Sequence, residues 1–145
     1  MRNLFCAAFA IMTLACSSHQ CDLLAQLKAR AGNSAVDCGY AVTGGNPSPV
    51  DTCVLDSFAA QSPFFARYDR RGTDSKVIFG MAWSGQGDAT FLLWDGDPSG
   101  GSGADPVISG TTCVAPAVDS TPNRNSYTTP PLTCGSSNSL GYTCG

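Results

Sequence analysis

The sequence predicts an α+β fold in which two N-terminal helices pack on a three- to four-stranded antiparallel meander. Three observations support this prediction. The chain has 145 residues, which is the size of one domain. Apolar residues recur at helical spacing early in the chain and alternate with other residues in its middle part. Finally, eight cysteines predict a scaffold stapled by disulfides.

Two helices are predicted in the first part of the chain. The first covers residues 21–31, has an apolar face of leucines and ends at Gly32. Residues 39–49 predict a loop because they are rich in Gly and Pro. Ser48 is the expected N-cap of the second helix, over residues 49–61, whose Val and Phe residues fall on one face.

Three or four strands are predicted to follow the helices. Residues 64–70, 76–84 and 89–95 are rich in aromatic and aliphatic side chains, and short polar turns separate them. This arrangement predicts an antiparallel meander. Residues 107–114 predict a fourth strand at the edge. Residues 115–145 are rich in Ser, Thr, Pro and Gly, so we expect an irregular tail that cysteines hold to the body.

The first fifteen residues have the pattern of a signal peptide. One positive charge, Arg2, precedes twelve uncharged residues, 4–15. That run suits an export signal and is shorter than the roughly 20 residues that a membrane-spanning helix needs. Export is therefore predicted. The chain divides into a signal peptide (1–15), a tether (16–20), an α+β domain (21–114) and the tail (115–145).

A cysteine stands where this apolar run ends. The sequence Thr13-Leu14-Ala15-Cys16 resembles the lipobox of bacterial lipoproteins, in which a small residue precedes a lipidated cysteine. The resemblance implies a lipid on Cys16, and Ser17 is compatible with sorting to the outer membrane. Several acyl chains on one residue give stable membrane anchoring. The alternative is ordinary cleavage near Ala15 or Ser17, which would release a soluble secreted protein.

Six cysteines remain once the signal peptide and the lipidated residue are set aside. An even number in an exported chain predicts three disulfides, whose pairing the sequence does not decide. Without the lipid, Cys16 would leave an odd cysteine, so the count also favours lipidation. Structural zinc is the weaker alternative, because the chain has no CxxC pair. The six candidates are Cys21, Cys38, Cys53, Cys113, Cys134 and Cys144.

The best candidate for a ligand site is the loop after the third predicted strand. Asp95, Asp97 and Ser99, with Asp105 further on, offer oxygen atoms at alternate positions, as a calcium loop does. Pro106 stands where such a loop would end in a bidentate glutamate. The alternative interpretation is a polar turn, for which Asp, Gly, Pro and Ser are the usual residues. Calcium is the one cofactor that the sequence suggests.

Two further features have both a structural and a functional interpretation. Trp83 and Trp94 are expected to pack in the core or across neighbouring strands, rather than to line a ligand pocket. Basic residues of the first predicted hairpin either meet an acidic partner or lipid headgroups, or form a solvated tip. They are Arg67, Arg70, Arg71 and Lys76.

Composition argues against several classes of function. A net charge of −3 disfavours nucleic-acid binding, which needs a basic patch. The one histidine, His19, falls in the predicted tether, where catalytic geometry is not fixed. We therefore expect a non-enzymatic interaction or structural module. The alternative is a secreted ligand- or calcium-binding domain, or an enzyme, that uses Asp95, Asp97 and Asp105.

The chain as a whole resembles small cysteine-rich lipoproteins of Gram-negative bacteria. Cys16 and the six cysteines after it carry this resemblance. It implies an outer-membrane lipoprotein on the periplasmic or the cell-surface face, with an envelope protein or a ligand as its partner. It implies no catalytic residue.

Overall fold

Two helices and six strands make up the parts of the chain that the computed structural model describes, residues 21–120 and 130–144. The six strands form one sheet in chain order, in which β1 and β2 are parallel and the other neighbours are antiparallel. The predicted signal peptide and tether, with Cys16, lie outside the described residues. The elements are α1 Leu23–Ala31, β1 Val36–Ala41, α2 Ser48–Ala59, β2 Phe64–Arg71, β3 Lys76–Trp83, β4 Ala89–Asp95, β5 Val107–Val118 and β6 Leu132–Cys144.

The predicted fold class, two N-terminal helices on a three- to four-stranded meander, is wrong. The mixed sheet has six strands, and β1 lies between the two helices in the chain. Because β1 is parallel to β2, helix α2 is a crossover connection between neighbouring strands. The region after residue 114, predicted to be irregular, contains the end of β5 and all of β6 in its described part.

Local sequence explains why both edge strands escaped prediction. Strand β1 has no clear alternation of apolar and polar residues, and Gly39 within it has a φ of +96°. Strand β6 is rich in Ser, Gly and Asn, which have low strand propensity. Its pairing with β5, from Val118 and Leu132 to Ile108 and Cys144, supplies the hydrogen bonds that its composition does not favour.

The two helices start and end close to the predicted positions. In α1, the Asp22 carboxylate accepts a hydrogen bond from the Ala25 backbone N–H at 3.1 Å, and Gly32 donates to the Lys28 carbonyl. In α2, the N-cap is Pro47 rather than the expected Ser48, which is the first helical residue.

The helices cover opposite faces of the sheet. Successive residues of β2 point to opposite sides, and they fall into two separate core clusters. Phe64 and Tyr68 pack in the cluster of Val54 from α2, whereas Phe65 packs in the cluster of Leu27 from α1. The protein therefore has three layers, helix, sheet and helix, and we name the two sheet faces after α1 and α2.

Each helix is joined to the sheet by a specific close contact. On the α1 face, a Cβ atom at Gly80 would lie 2.8 Å from Leu27 Cδ1, so any larger residue there would require the buried Leu27 side chain to shift. On the α2 face, the Tyr68 hydroxyl donates to Oδ1 of the buried Asp51 at 3.1 Å. Burying this acidic residue is tolerated because it has a hydrogen-bond partner.

Three disulfides join the elements, and all six predicted cysteines take part. Cys21–Cys144 links the start of α1 to the end of β6, over a sequence separation of 123 residues. Disulfides persist in oxidising compartments, so the environment of the folded protein is extracytoplasmic. Within residues 21–120 and 130–144, no helix has the length and apolarity to cross a membrane. The other two disulfides are Cys38–Cys53, between β1 and α2, and Cys113–Cys134, between β5 and β6.

Candidate functional site

Helix α2 covers only part of its face of the sheet. It packs mainly on β1 and β2 and touches Trp83 at one end of β3. On this face, no helix of the described residues is seen to pack on the opposite ends of β3 and β4. Their apolar side chains on this face are Val77, Phe79, Phe91 and Leu93, and each is only partly buried. Met81, which follows Phe79 by two residues in β3 and lies closer to α2, is 1% exposed. The sheet therefore presents a continuous apolar patch that the described chain does not cover completely.

This patch contains a groove of about 220 Å³, which we call the sheet groove. The rings of Phe79 and Phe91 form its apolar wall, with centroids 5.2 Å apart in an edge-to-face arrangement. Strand pairing places Thr111 opposite Phe91, and Ser109 opposite Leu93, so two hydroxyl-bearing residues line the neighbouring strand. The groove thus combines aromatic and aliphatic surface with a small number of polar groups, as ligand sites do.

Arg70 supplies the positive charge of the sheet groove. It follows Tyr68 by two residues in β2, which puts it on the α2 face, and it lines the groove. The ion pair found among the described residues joins Arg67 to Asp37 at 3.6 Å. Arg67 lies on the opposite face of β2, so Arg70 takes no part in this ion pair. Arg70 is thus a solvent-exposed cation at the edge of an apolar groove.

Two of the other predicted hairpin cations, Arg67 and Lys76, belong to a different cluster, around Tyr40 on the α1 face. The Tyr40 hydroxyl donates to Asp69, and burial together with this bond raises the pKa of Tyr40 above its usual range. Arg67 and Lys76 lie over the Tyr40 ring, 5.5 and 5.8 Å from its centroid. Thr43 N–H donates to the second Asp69 oxygen at 3.0 Å. This cluster fastens β1 to β2, so we assign it a structural role.

The predicted calcium loop is organised around the carboxylate of Asp97. Its oxygens accept hydrogen bonds from the Ser99 hydroxyl and from backbone N–H groups, including those of Gly101, Gly103 and Ala104 at 2.9–3.2 Å. The Ser99 hydroxyl first, then the Gly103 N–H, lower the pKa of Asp97 to about 2. Asp97 thus acts as the anion in a cradle of N–H donors.

The carboxylate oxygens predicted to bind calcium already accept hydrogen bonds from the protein. Asp95 Oδ1 accepts from Ser75 Oγ at 2.8 Å and from the Asp97 N–H at 3.0 Å. A cation would have to compete with these donors for the oxygens of Asp95 and Asp97. Of the other two predicted ligands, Ser99 serves as a hydrogen-bond donor and Asp105 lies exposed at the far end of the loop. In the described parts of the chain, no three His, Cys, Asp or Glu side chains gather as a metal site. Calcium binding stays a prediction.

The two tryptophans lie on opposite faces of the sheet. Trp83 is buried on the α2 face, with its ring 4.6 Å from that of Phe58, and its Nε1 donates to the Gly87 carbonyl at 3.0 Å. Trp94 packs in the α1 cluster. Core packing is therefore confirmed, whereas contact between the two rings across neighbouring strands is wrong.

The residues of the sheet groove were predicted as strand residues and not as a site. Their strands gave no local signal for a site, because Phe79 and Phe91 have the sequence pattern of core residues. Comparison with protein-family models, with curated proteins and with solved structures finds no match to the chain. Function is therefore inferred from the geometry of the chain itself.

Proposed function

We propose that this protein is an exported, non-enzymatic interaction module that binds a partner through the sheet groove. The observation that carries the proposal is the incompletely covered aromatic patch on a sheet held by three disulfides. A concave apolar surface with a few placed polar groups is the usual form of a binding site. A stapled sheet also suits binding, because a rigid surface loses little conformational entropy when a partner docks.

The chemistry of the groove lining supports binding rather than catalysis. Its side chains offer aromatic and aliphatic surface, two hydroxyls and one guanidinium. The lining contains no carboxylate or imidazole that would serve as a general base for Ser109 or Thr111. Recognition of a partner requires only shape, apolar contact and a few placed polar groups.

We further propose that lipid on Cys16 holds this module at the outer membrane. Cys16 precedes Cys21 by five residues, and an extended chain of that length spans at most about 18 Å. Cys21 is joined to Cys144, so both ends of the described domain would lie near the membrane surface. The anchor would thus keep the groove within reach of envelope partners.

Membrane fractionation in a Gram-negative host tests the anchor. We expect the wild-type protein in the membrane fraction and Cys16→Ser in the soluble extracytoplasmic fraction. Cys6→Ser, which removes the cysteine inside the predicted signal peptide, is the matched control and should remain with the membrane. If Cys16→Ser partitions as the wild type does, the lipid anchor is refuted.

A secreted calcium-binding domain is the second candidate function. It is favoured by the two carboxylates, Asp95 and Asp97, that lie together at the start of one loop, with Asp105 at its end. It requires millimolar calcium to raise the melting temperature of the wild type, and Asp95→Ala with Asp97→Ala to abolish that rise. An unchanged melting temperature in calcium would remove this candidate.

A further inference from the structure

We infer that the sheet groove recognises the C-terminal residue of a partner polypeptide, with its apolar side chain against the aromatic wall and its carboxylate on Arg70. This inference rests on the proposed binding function and names the chemistry that the same groove would select. It depends on three features of the groove: its size, the placement of its single charge, and its two hydroxyl-bearing residues.

The size of the groove limits what it holds. A volume of about 220 Å³ is less than the roughly 300–1,000 Å³ of sites for drug-sized ligands. It equals the space of about seven water molecules. One apolar side chain is of a size to occupy such a groove. The edge-to-face pair of Phe79 and Phe91 gives this side chain an aromatic contact surface.

The charge of the groove selects an anion beside the apolar group. Arg70 lines the same groove as Phe79 and Phe91, and its guanidinium matches a carboxylate through two parallel hydrogen bonds. The strand register places Asp95 on this face as well, with Val77 between it and Arg70. One oxygen of Asp95 already accepts from Ser75 and from the loop backbone. Among the described residues Arg70 and Asp95 form no ion pair, so an added carboxylate is the group that complements Arg70.

The arrangement of these groups distinguishes a chain terminus from an acidic side chain. In a C-terminal residue, the carboxylate and the apolar side chain are attached to the same Cα, so the two binding groups lie within one residue. The hydroxyls of Ser109 and Thr111, which line the β5 side of the groove, are suited to bond the preceding peptide group. Capture of terminal carboxylates is an established way for proteins to bind peptides.

A pair of small probes tests the inference on the complete oxidised protein. N-acetyl-L-leucine carries the terminal carboxylate, and N-acetyl-L-leucinamide is its uncharged match. We expect both to shift the amide NMR signals of Phe79, Phe91 and Leu93, and the acid to bind about fivefold more tightly. Arg70→Gln should abolish that preference, and Arg30→Gln, on helix α1, should retain it.

The outcomes separate the inference from the proposed function. If both probes shift the groove signals with equal affinity in the wild type, carboxylate recognition is refuted while binding by the groove stands. If neither probe shifts these signals, both the inference and groove binding are refuted. Octanoate serves as a third probe. If it binds more tightly than N-acetyl-L-leucine and depends equally on Arg70, the occupant is a fatty acid and the peptide terminus is refuted.

Discussion

Removal of the Cys21–Cys144 disulfide should cost more stability than removal of either other disulfide. This bridge joins residues separated by 123 positions, whereas the separations are 15 for Cys38–Cys53 and 21 for Cys113–Cys134. A disulfide stabilises a protein mainly by restricting its unfolded chain, and that effect grows with the length of the closed loop. The three disulfides differ widely in loop length, so the order of the stabilities lost on their removal tests this relation directly.

The magnitude follows from the loop lengths. The chain-entropy relation gives about 4.9 kcal/mol for the Cys21–Cys144 loop and about 3.1 kcal/mol for the Cys38–Cys53 loop. The two smaller bridges lie within the larger loop and shorten it in the unfolded chain, which lowers the first value to about 4.6 kcal/mol. We therefore expect the two paired variants to differ by about 1.5 kcal/mol in their free energy of unfolding.

Urea unfolding of the oxidised protein measures this difference. The variants are Cys21→Ala with Cys144→Ala, and Cys38→Ala with Cys53→Ala as the matched control. The first pair should unfold at a clearly lower urea concentration, with a steeper denaturant dependence because its unfolded chain is more open. Equal midpoints, or a lower midpoint for the control pair, would refute the loop-length reasoning.

Three further predictions concern single contacts. Asp97→Asn should speed amide exchange at Gly103, because an amide NH₂ opposes the N–H donors, and unchanged exchange would contradict this role. In the wild type the pKa of Asp97 is about 2, so its stabilisation is present above its ordinary pKa and is lost as the pH falls through about 2. Tyr40→Phe removes the hydrogen bond to Asp69 and should cost about 1 kcal/mol in thermal unfolding at neutral pH. Because the pKa of Tyr40 is raised, this contribution is full below about pH 10 and is lost at higher pH. An equal cost at all pH values would contradict it. Gly80→Ala should cost about 1–3 kcal/mol in urea unfolding, because its Cβ would overlap a leucine of α1, and a stabilised variant would show that the helix moves away freely.

Elements with strong local signals were predicted closely. The structure has α1 at Leu23–Ala31 against a predicted 21–31, and β4 at Ala89–Asp95 as predicted. In both, the apolar period and the flanking turn residues lie within a few positions of each other, so the local sequence suffices. The three disulfides of the described residues agree with the number predicted from the even count of cysteines in a chain expected to be exported.

Features that depend on distant parts of the chain were missed. Strand β1 forms because β2 offers a parallel partner after the α2 crossover, and β6 forms along the length of β5. The sheet groove has the same origin, because Phe79 and Phe91 look like core residues in their strands. Only the position of α2 over β1 and β2 leaves them partly exposed. The sequence of its loop identified Asp97 as a candidate ligand. That Asp97 accepts hydrogen bonds from N–H groups of the loop could be seen only from the loop conformation.

The intact mass of the mature protein, purified from a Gram-negative host, shows whether the module is lipid-anchored and stapled by disulfides. Thiols are alkylated before and after reduction. We expect a polypeptide that begins at Cys16 and carries acyl chains, with six thiols that appear only after reduction. An unlipidated mass, or a thiol that reacts before reduction, would contradict the account of a lipid-anchored, disulfide-stapled module.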